Sequence, residues 1–242
     1  MNIYLIVILT FHISNWNHAS SNDVEHEKVT PLMDNQVQKH DPWEIDIFER
    51  NIKLKVYGRI EEDTFDDFLT LRNLSLVNSI LTNVGVNALN KLERLESLSF
   101  IHSEGNVHIT EESLTKVTNL KELVIHLNNR VIIESKALKN FKNLEILSVD
   151  NQTFNAFSNE TFDQCRKLKY LSWSNGFVGK IESNTFRSLK KLETVILRDL
   201  QLKHIEPSTF EDLPFLRILN LDENKIEFCP GKSSNYFQVC KV

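Results

Sequence analysis

The chain has 242 residues, 41% hydrophobic and 25% charged, with a formal net charge of -5. That balance excludes a disordered chain and a membrane bundle, and the slight excess of acid argues against a nucleic-acid partner. Only 6 Gly beside 15 Phe leaves little material for glycine-rich phosphate loops and points to one apolar unit used many times.

Residues 1–20 read as a secretory signal peptide. An apolar run from Ile3 to Ile13 is followed by the small, polar stretch Ser14 to Ser20, with cleavage expected after Ala19 or Ser20. The run is too short to cross about 30 Å of hydrocarbon as a helix, and no second long apolar run lies downstream. The mature chain is therefore expected to be exported and to carry no membrane span. Residues 21–42 are polar and aperiodic, with Val24, Val29, Leu32, Met33 and Val37 scattered, so a flexible tail is expected. Over 43–70 the apolar density rises. Trp43, Ile45, Ile47 and Phe48 lead into Ile52, Leu54 and Val56 at strand spacing, which predicts a capping strand and a first partial repeat.

From 71 to 228 the motif L-x-x-L-x-L recurs, beginning at Leu71, Leu95, Leu120, Leu144, Leu168, Leu192 and Leu216. The spacing is 24 residues, with one step of 25 between Leu95 and Leu120. Six residues before each start stand Phe65, Leu89, Leu114, Leu138, Phe162, Phe186 and Phe210, and eleven before stand Ile60, Val84, Ile109, Ile133, Phe157, Ile181 and Ile205. Three before lies a further apolar column, which includes Cys165. The second and third Leu are two apart, so they share one side of a strand while the x residues point away. The positions three and six before have helical or 3₁₀ spacing, so each unit returns through a helical turn on its convex side. One unit cannot bury its apolar side alone; stacked units share a core, and their strands must be parallel.

The fold class is thus α/β, a curved solenoid with a parallel sheet on the concave face and short helices or 3₁₀ turns on the convex face. These motifs resemble the extracellular leucine-rich repeat proteins of the 24-residue class, best at Leu216 to Cys229, with Asn224 at the family's asparagine position. That column otherwise reads Ser79, Ser103, Asn128, Gln152, Gly176 and Leu200, so most of the asparagine ladder is missing and looser turns are expected.

Cys165 stands in a core column and reads as a buried inert thiol. Cys229 and Cys240 flank a turn-rich stretch and are expected to pair, forming a short C-terminal cap over 229–242. Zinc is the rival, although no C-x-x-C or H-x-x-x-H pair occurs. No metal or other cofactor is expected. Asn73, Asn151 and Asn159 begin N-glycosylation sequons.

The x residues form three concave columns, where a partner would sit. Tyr170 and Arg198 are the first binding candidates, being residue types enriched at interface hot spots, with Ile146, His126, Asp150, Glu122 and Ile218 around them. His102 and His126, one repeat apart, read either as a pH-sensing pair or as a solvated pair on the strand rims.

The reading is a secreted recognition module for a protein, glycan or lipid. The resemblance implies roles like those of Toll-type ectodomains and secreted immune or adhesion proteins, with an extracellular protein partner such as a receptor or a microbial ligand. The alternatives are a soluble decoy or fragment of a longer receptor ectodomain and, more distantly, a secreted hydrolase. Against the hydrolase, the chain contains no G-x-S-x-G or H-E-x-x-H, and no exposed Cys beside a His.

Overall fold

Alternation within L-x-x-L-x-L sets each strand, and stacking of identical alternations sets the sheet. In the computed structural model, residues 44–46, 50–85, 87–105, 107–127, 131–154 and 156–227 are described. The expected signal segment (1–20), the expected tail (21–42) and the expected Cys229–Cys240 pair lie outside them. Eight strands run parallel in chain order: Asn51–Leu54, Asn73–Val77, Ser97–Gly105, Glu122–Leu127, Ile146–Asp150, Tyr170–Ser174, Thr194–Arg198 and Ile218–Asn220. Leu74, Leu98, Leu123, Leu147, Leu171, Val195 and Leu219 pair in one register line across them. All of these are buried. Each such side chain removed from water stabilises the stack by roughly 1.5–3 kcal/mol before the entropy of ordering is subtracted.

At the N-terminal end, the strand expected from Ile52 and Leu54 is the first member of the parallel sheet rather than its cover. The edge is covered by Glu44–Asp46, which pairs antiparallel to Asn51–Leu54. This short strand occupies backbone groups that would otherwise face outward along the sheet edge.

The return path is mostly turn. Among the described residues, three stretches close as 3₁₀ helices, Asp66–Phe68, Ser135–Asn140 and Pro207–Phe210. Phe162, Phe186 and Phe210 stack there with ring centroids 5.8 and 5.4 Å apart. Between sheet and return, short parallel pairs form at Tyr57–Ile60 with Ile80–Val84, Val107–Ile109 with Val131–Ile133, and Thr153–Phe154 with Phe177–Val178.

The asparagine column departs from the expected looseness. Ser79 Oγ accepts the Val56 N–H at 2.9 Å, and Ser103 Oγ accepts the Ser79 N–H at 3.0 Å, each tying one turn to the next. Both serines are buried. Asn224 does the same work with its amide, accepting from Leu200 N and Leu202 N and donating to Leu197 O. At Gly176 the turns come too close for any side chain: a Cβ there would lie 2.9 Å from Gln152 N, 3.0 Å from its carbonyl carbon and closer still to its oxygen.

One residue past the concave columns, the backbone turns through the left-handed region at Asn78, His102, Asn151, Asn175, Asp199 and Glu223. Asn, Asp and His tolerate that conformation better than most residues. His102 is the bulged residue of its strand, between Ile101, which is in line with His126, and Ser103, which is in line with Leu127. His102 and His126 are therefore not cross-strand partners. The reason is the 25-residue step: across it, a separation of 24 residues crosses from one column to the next.

Candidate functional site

Strand pairing puts the concave side chains in three straight rows. The first joins Asn73, Ser97, Glu122, Ile146, Tyr170, Thr194 and Ile218. Within it Ile146 and Ile218 are exposed, and Tyr170 is half-buried between them. The middle row is mostly small: it runs Ser75, Ser99, Val124, Ser148, Ser172, Ile196 and Asn220, and Ser148 and Ser172 are buried. The third row carries His126, Asp150, Ser174 and Arg198. A trough of hydroxyls thus separates an aliphatic–aromatic row from a charged one.

Among the seven candidates, Glu122, Ile146, Tyr170 and Ile218 are brought together in the first row, and His126, Asp150 and Arg198 in the third. Tyr170 and Arg198 do not meet. Tyr170 is in line with Thr194, four residues before Arg198 on that strand, so they stand roughly 14 Å apart. Arg198 is held by an ion pair with Glu223, and Glu122 accepts a hydrogen bond from Ser97 Oγ at 2.9 Å.

Among the described residues, His126, Ser148 and Asp150 bring catalytic residue types together. His126 Nε2 lies 2.8 Å from Ser148 Oγ and 4.0 Å from Asp150 Oδ2. Burial pushes the Asp150 carboxyl above its ordinary value, and the imidazole beside it pulls the other way. In a nucleophilic relay the carboxylate holds one ring nitrogen and the hydroxyl the other. Here both groups face the same nitrogen, so Ser148 is not set up as an activated nucleophile. Among the described residues, no group of three His, Cys, Asp or Glu side chains is arranged to hold a metal ion. Burial pushes the Cys165 thiol up to about 12, and its Sγ lies 3.5 Å from Leu138 O.

At the N-terminal end of the face, small side chains leave a hollow of about 240 Å³ lined by Asn51, Lys53, Asn73, Ser75, Ser97 and Ser99. Asn73 Nδ2 donates to Asn51 Oδ1 inside it, so a glycan on that nitrogen would replace the bond. Asn151, one residue past the third row, and Asn159 are exposed on turns.

Family models settle what the rows belong to. The BspA type leucine rich repeat region matches residues 49–169, and the leucine rich repeat model matches residues 173–226. The chain is a leucine-rich repeat protein. No curated protein sequence matches it. Among solved structures, a chain of the TLR13–ssRNA13 complex superposes with TM-score 0.54 at 20% identity, over 74% of this chain and 29% of that one. A chain of the Toll–Spatzle complex from Drosophila superposes with TM-score 0.56 at 14% identity, over 73% and 26%. This leucine-rich repeat protein therefore spans less than a third of either Toll-type neighbour, and at these identities the likeness concerns the fold.

A further column escaped sequence reading although it is visible there. The residue after the first Leu of each repeat reads Arg72, Glu96, Lys121, Glu145, Lys169, Glu193 and Arg217, alternating in sign throughout. Glu96 accepts from Arg72 at 2.6 Å and from Lys121 at 2.7 Å, and Lys169 reaches Glu145 at 2.7 Å. The hydrogen bond from Lys121 holds the Glu96 carboxyl below its ordinary value, and the bond from Lys169 does the same for Glu145. The clue was periodic sign, which is lost when charges are only counted.

Proposed function

We propose that this leucine-rich repeat protein is a non-catalytic extracellular recognition module that takes a protein partner on its concave face. The observation that carries the reading is the pair of rows flanking the serine trough. Exposed Ile146 and Ile218 with Tyr170 offer desolvation, and the His126–Asp150–Arg198 row offers directional polar contacts. A protein is favoured over a nucleic acid because Glu122, Asp150 and Asp222 line the same face as Arg198, which Glu223 already neutralises. Of the two structural neighbours, TLR13 was solved with ssRNA13 and Toll with Spatzle; the mixed face here suits the second kind of ligand. Export through residues 1–20, glycans on Asn73, Asn151 and Asn159, a Cys229–Cys240 disulfide, and service in innate immunity, adhesion or receptor modulation belong to the same reading.

The test is capture of extracellular proteins by the native chain beside an Ile146→Asp/Tyr170→Ala/Ile218→Asp variant of unchanged melting temperature. A partner held by the native chain and lost from the variant supports the concave face; a partner held equally by both refutes it. Expression with residues 1–20 attached checks export, the exported chain being expected to begin after Ala19 or Ser20.

A further inference from the structure

Two neighbouring sets of columns treat charge in opposite ways. The one just after the first Leu alternates and neutralises itself. The two positions just before that Leu do not. In three consecutive repeats they read Lys142-Asn143, Arg166-Lys167 and Lys190-Lys191, and all five cations are exposed. Elsewhere the same positions are Leu69-Thr70, Glu93-Arg94, Thr118-Asn119 and Pro214-Phe215, so the strip is a local feature and not a requirement of the repeat.

Successive repeats touch here. Asn143 Nδ2 donates to Thr118 O at 3.0 Å, and Lys167 Nζ donates to Asn143 Oδ1 at 2.7 Å. Lys142, Arg166 and Lys190 occupy the equivalent position in these three successive repeats, so their charges follow one another along the rim. Asp212 approaches Lys190 at 3.9 Å, while Arg166 Nε donates only to the backbone oxygen of Asp163 at 3.3 Å. Among the described residues, Lys142, Arg166, Lys167 and Lys191 have no carboxylate within ion-pair distance. Cations in such a row repel one another unless an anion of similar spacing lies over them.

We propose that this strip on the rim binds a linear sulfated polysaccharide. Its charges lie in a row and Arg166 can fork onto a sulfate, and the exposed Phe215 at the equivalent position stands one repeat beyond the last cation pair rather than among the cations, so nucleobases would have no aromatic to stack on along the strip itself. It lies outside the concave columns, so it stands or falls independently of the protein partner proposed there.

The experiment measures binding of the full chain to heparin and to heparan sulfate across about 50–200 mM salt. One variant carries Lys142→Gln, Arg166→Gln, Lys167→Gln and Lys191→Gln. A control loses the same charge elsewhere, through Lys55→Gln, Lys180→Gln, Lys203→Gln and Lys225→Gln. Native binding is expected to weaken steeply with salt, and the strip variant to lose about tenfold or more at low salt, against about threefold or less for the control. If the strip variant melts early, Lys142→Gln/Lys191→Gln carries the same test, with a loss of about threefold expected against an unchanged matched pair, Lys203→Gln/Lys225→Gln. No binding by the native chain, equal losses in strip and control variants, or displacement of heparin by poly-uridylate RNA at lower charge concentration would each overturn the proposal.

Discussion

Gly176→Ala tests the closeness of the turns directly. An added Cβ would sit 2.9 Å from Gln152 N and 3.0 Å from its carbonyl carbon, inside the distance real Cβ atoms keep, and both obstacles are backbone. Rotating a side chain cannot relieve the clash; the 152 and 176 turns must separate. Separation stretches the Phe177 N–H to Gln152 O bond of 2.8 Å, the hydrogen bond that joins the two turns next to the glycine. Overpacking of this kind costs about 1–3 kcal/mol, and weakening a buried backbone bond about 1 kcal/mol more. A loss of about 3 kcal/mol is expected in urea unfolding followed by circular dichroism, a large share of the about 5–15 kcal/mol typical of a domain. Gly85→Ala is the matched control. Its Cβ would stand 3.2 Å from Ile60 O, close enough to need only a small adjustment, so a loss under about 1 kcal/mol is expected. Equal stability of the two variants, or a loss under about 1 kcal/mol at Gly176, would refute the reasoning.

Three further outcomes follow from other contacts. Ser103→Ala removes the buried acceptor of the Ser79 N–H and should cost about 1–3 kcal/mol, with faster hydrogen exchange at the Ser79 amide; unchanged exchange would remove the hydroxyl from the ladder. Glu145→Lys places three cations in succession and should cost about 0.5–1 kcal/mol at low salt, shrinking in 1 M salt, where the screening length is about 3 Å. Because the Glu145 carboxyl is lowered in the folded chain, its contribution is present above the ordinary glutamate value of 4.5 and lost as pH falls through the folded value. The native-to-variant gap should therefore narrow in acid, and a gap that widens there would contradict the pairing. Cys165, with its thiol pushed up to about 12 by burial, should react with iodoacetamide at pH 8 only as fast as the chain opens, so rapid labelling under native conditions would place it nearer the surface.

Core columns were legible because Leu, Ile and Phe recur at the fixed interval that stacking imposes, and every concave row fell in the expected register. Legibility ended where one chemical group replaces another. Ser79 and Ser103 break the asparagine pattern as letters, yet their hydroxyls reach the same backbone groups. Gly176 breaks it for the opposite reason, since the turns leave no room. At the concave face, column membership could be counted, but contacts between columns could not. The contact of His126 with Ser148 depends on a side chain leaning from one row to the next, whereas the separation of Tyr170 from Arg198 follows from their membership of the first and third rows.

The alternating column from Arg72 to Arg217 bears on how such an array can change length. Duplicating or deleting one repeat within it brings two like charges face to face at the junction. Duplicating or deleting two leaves the alternation intact. Genetic insertions into this chain should therefore be tolerated in even numbers of units and resisted in odd ones, a parity rule set by charge in a scaffold whose apolar core would accept either.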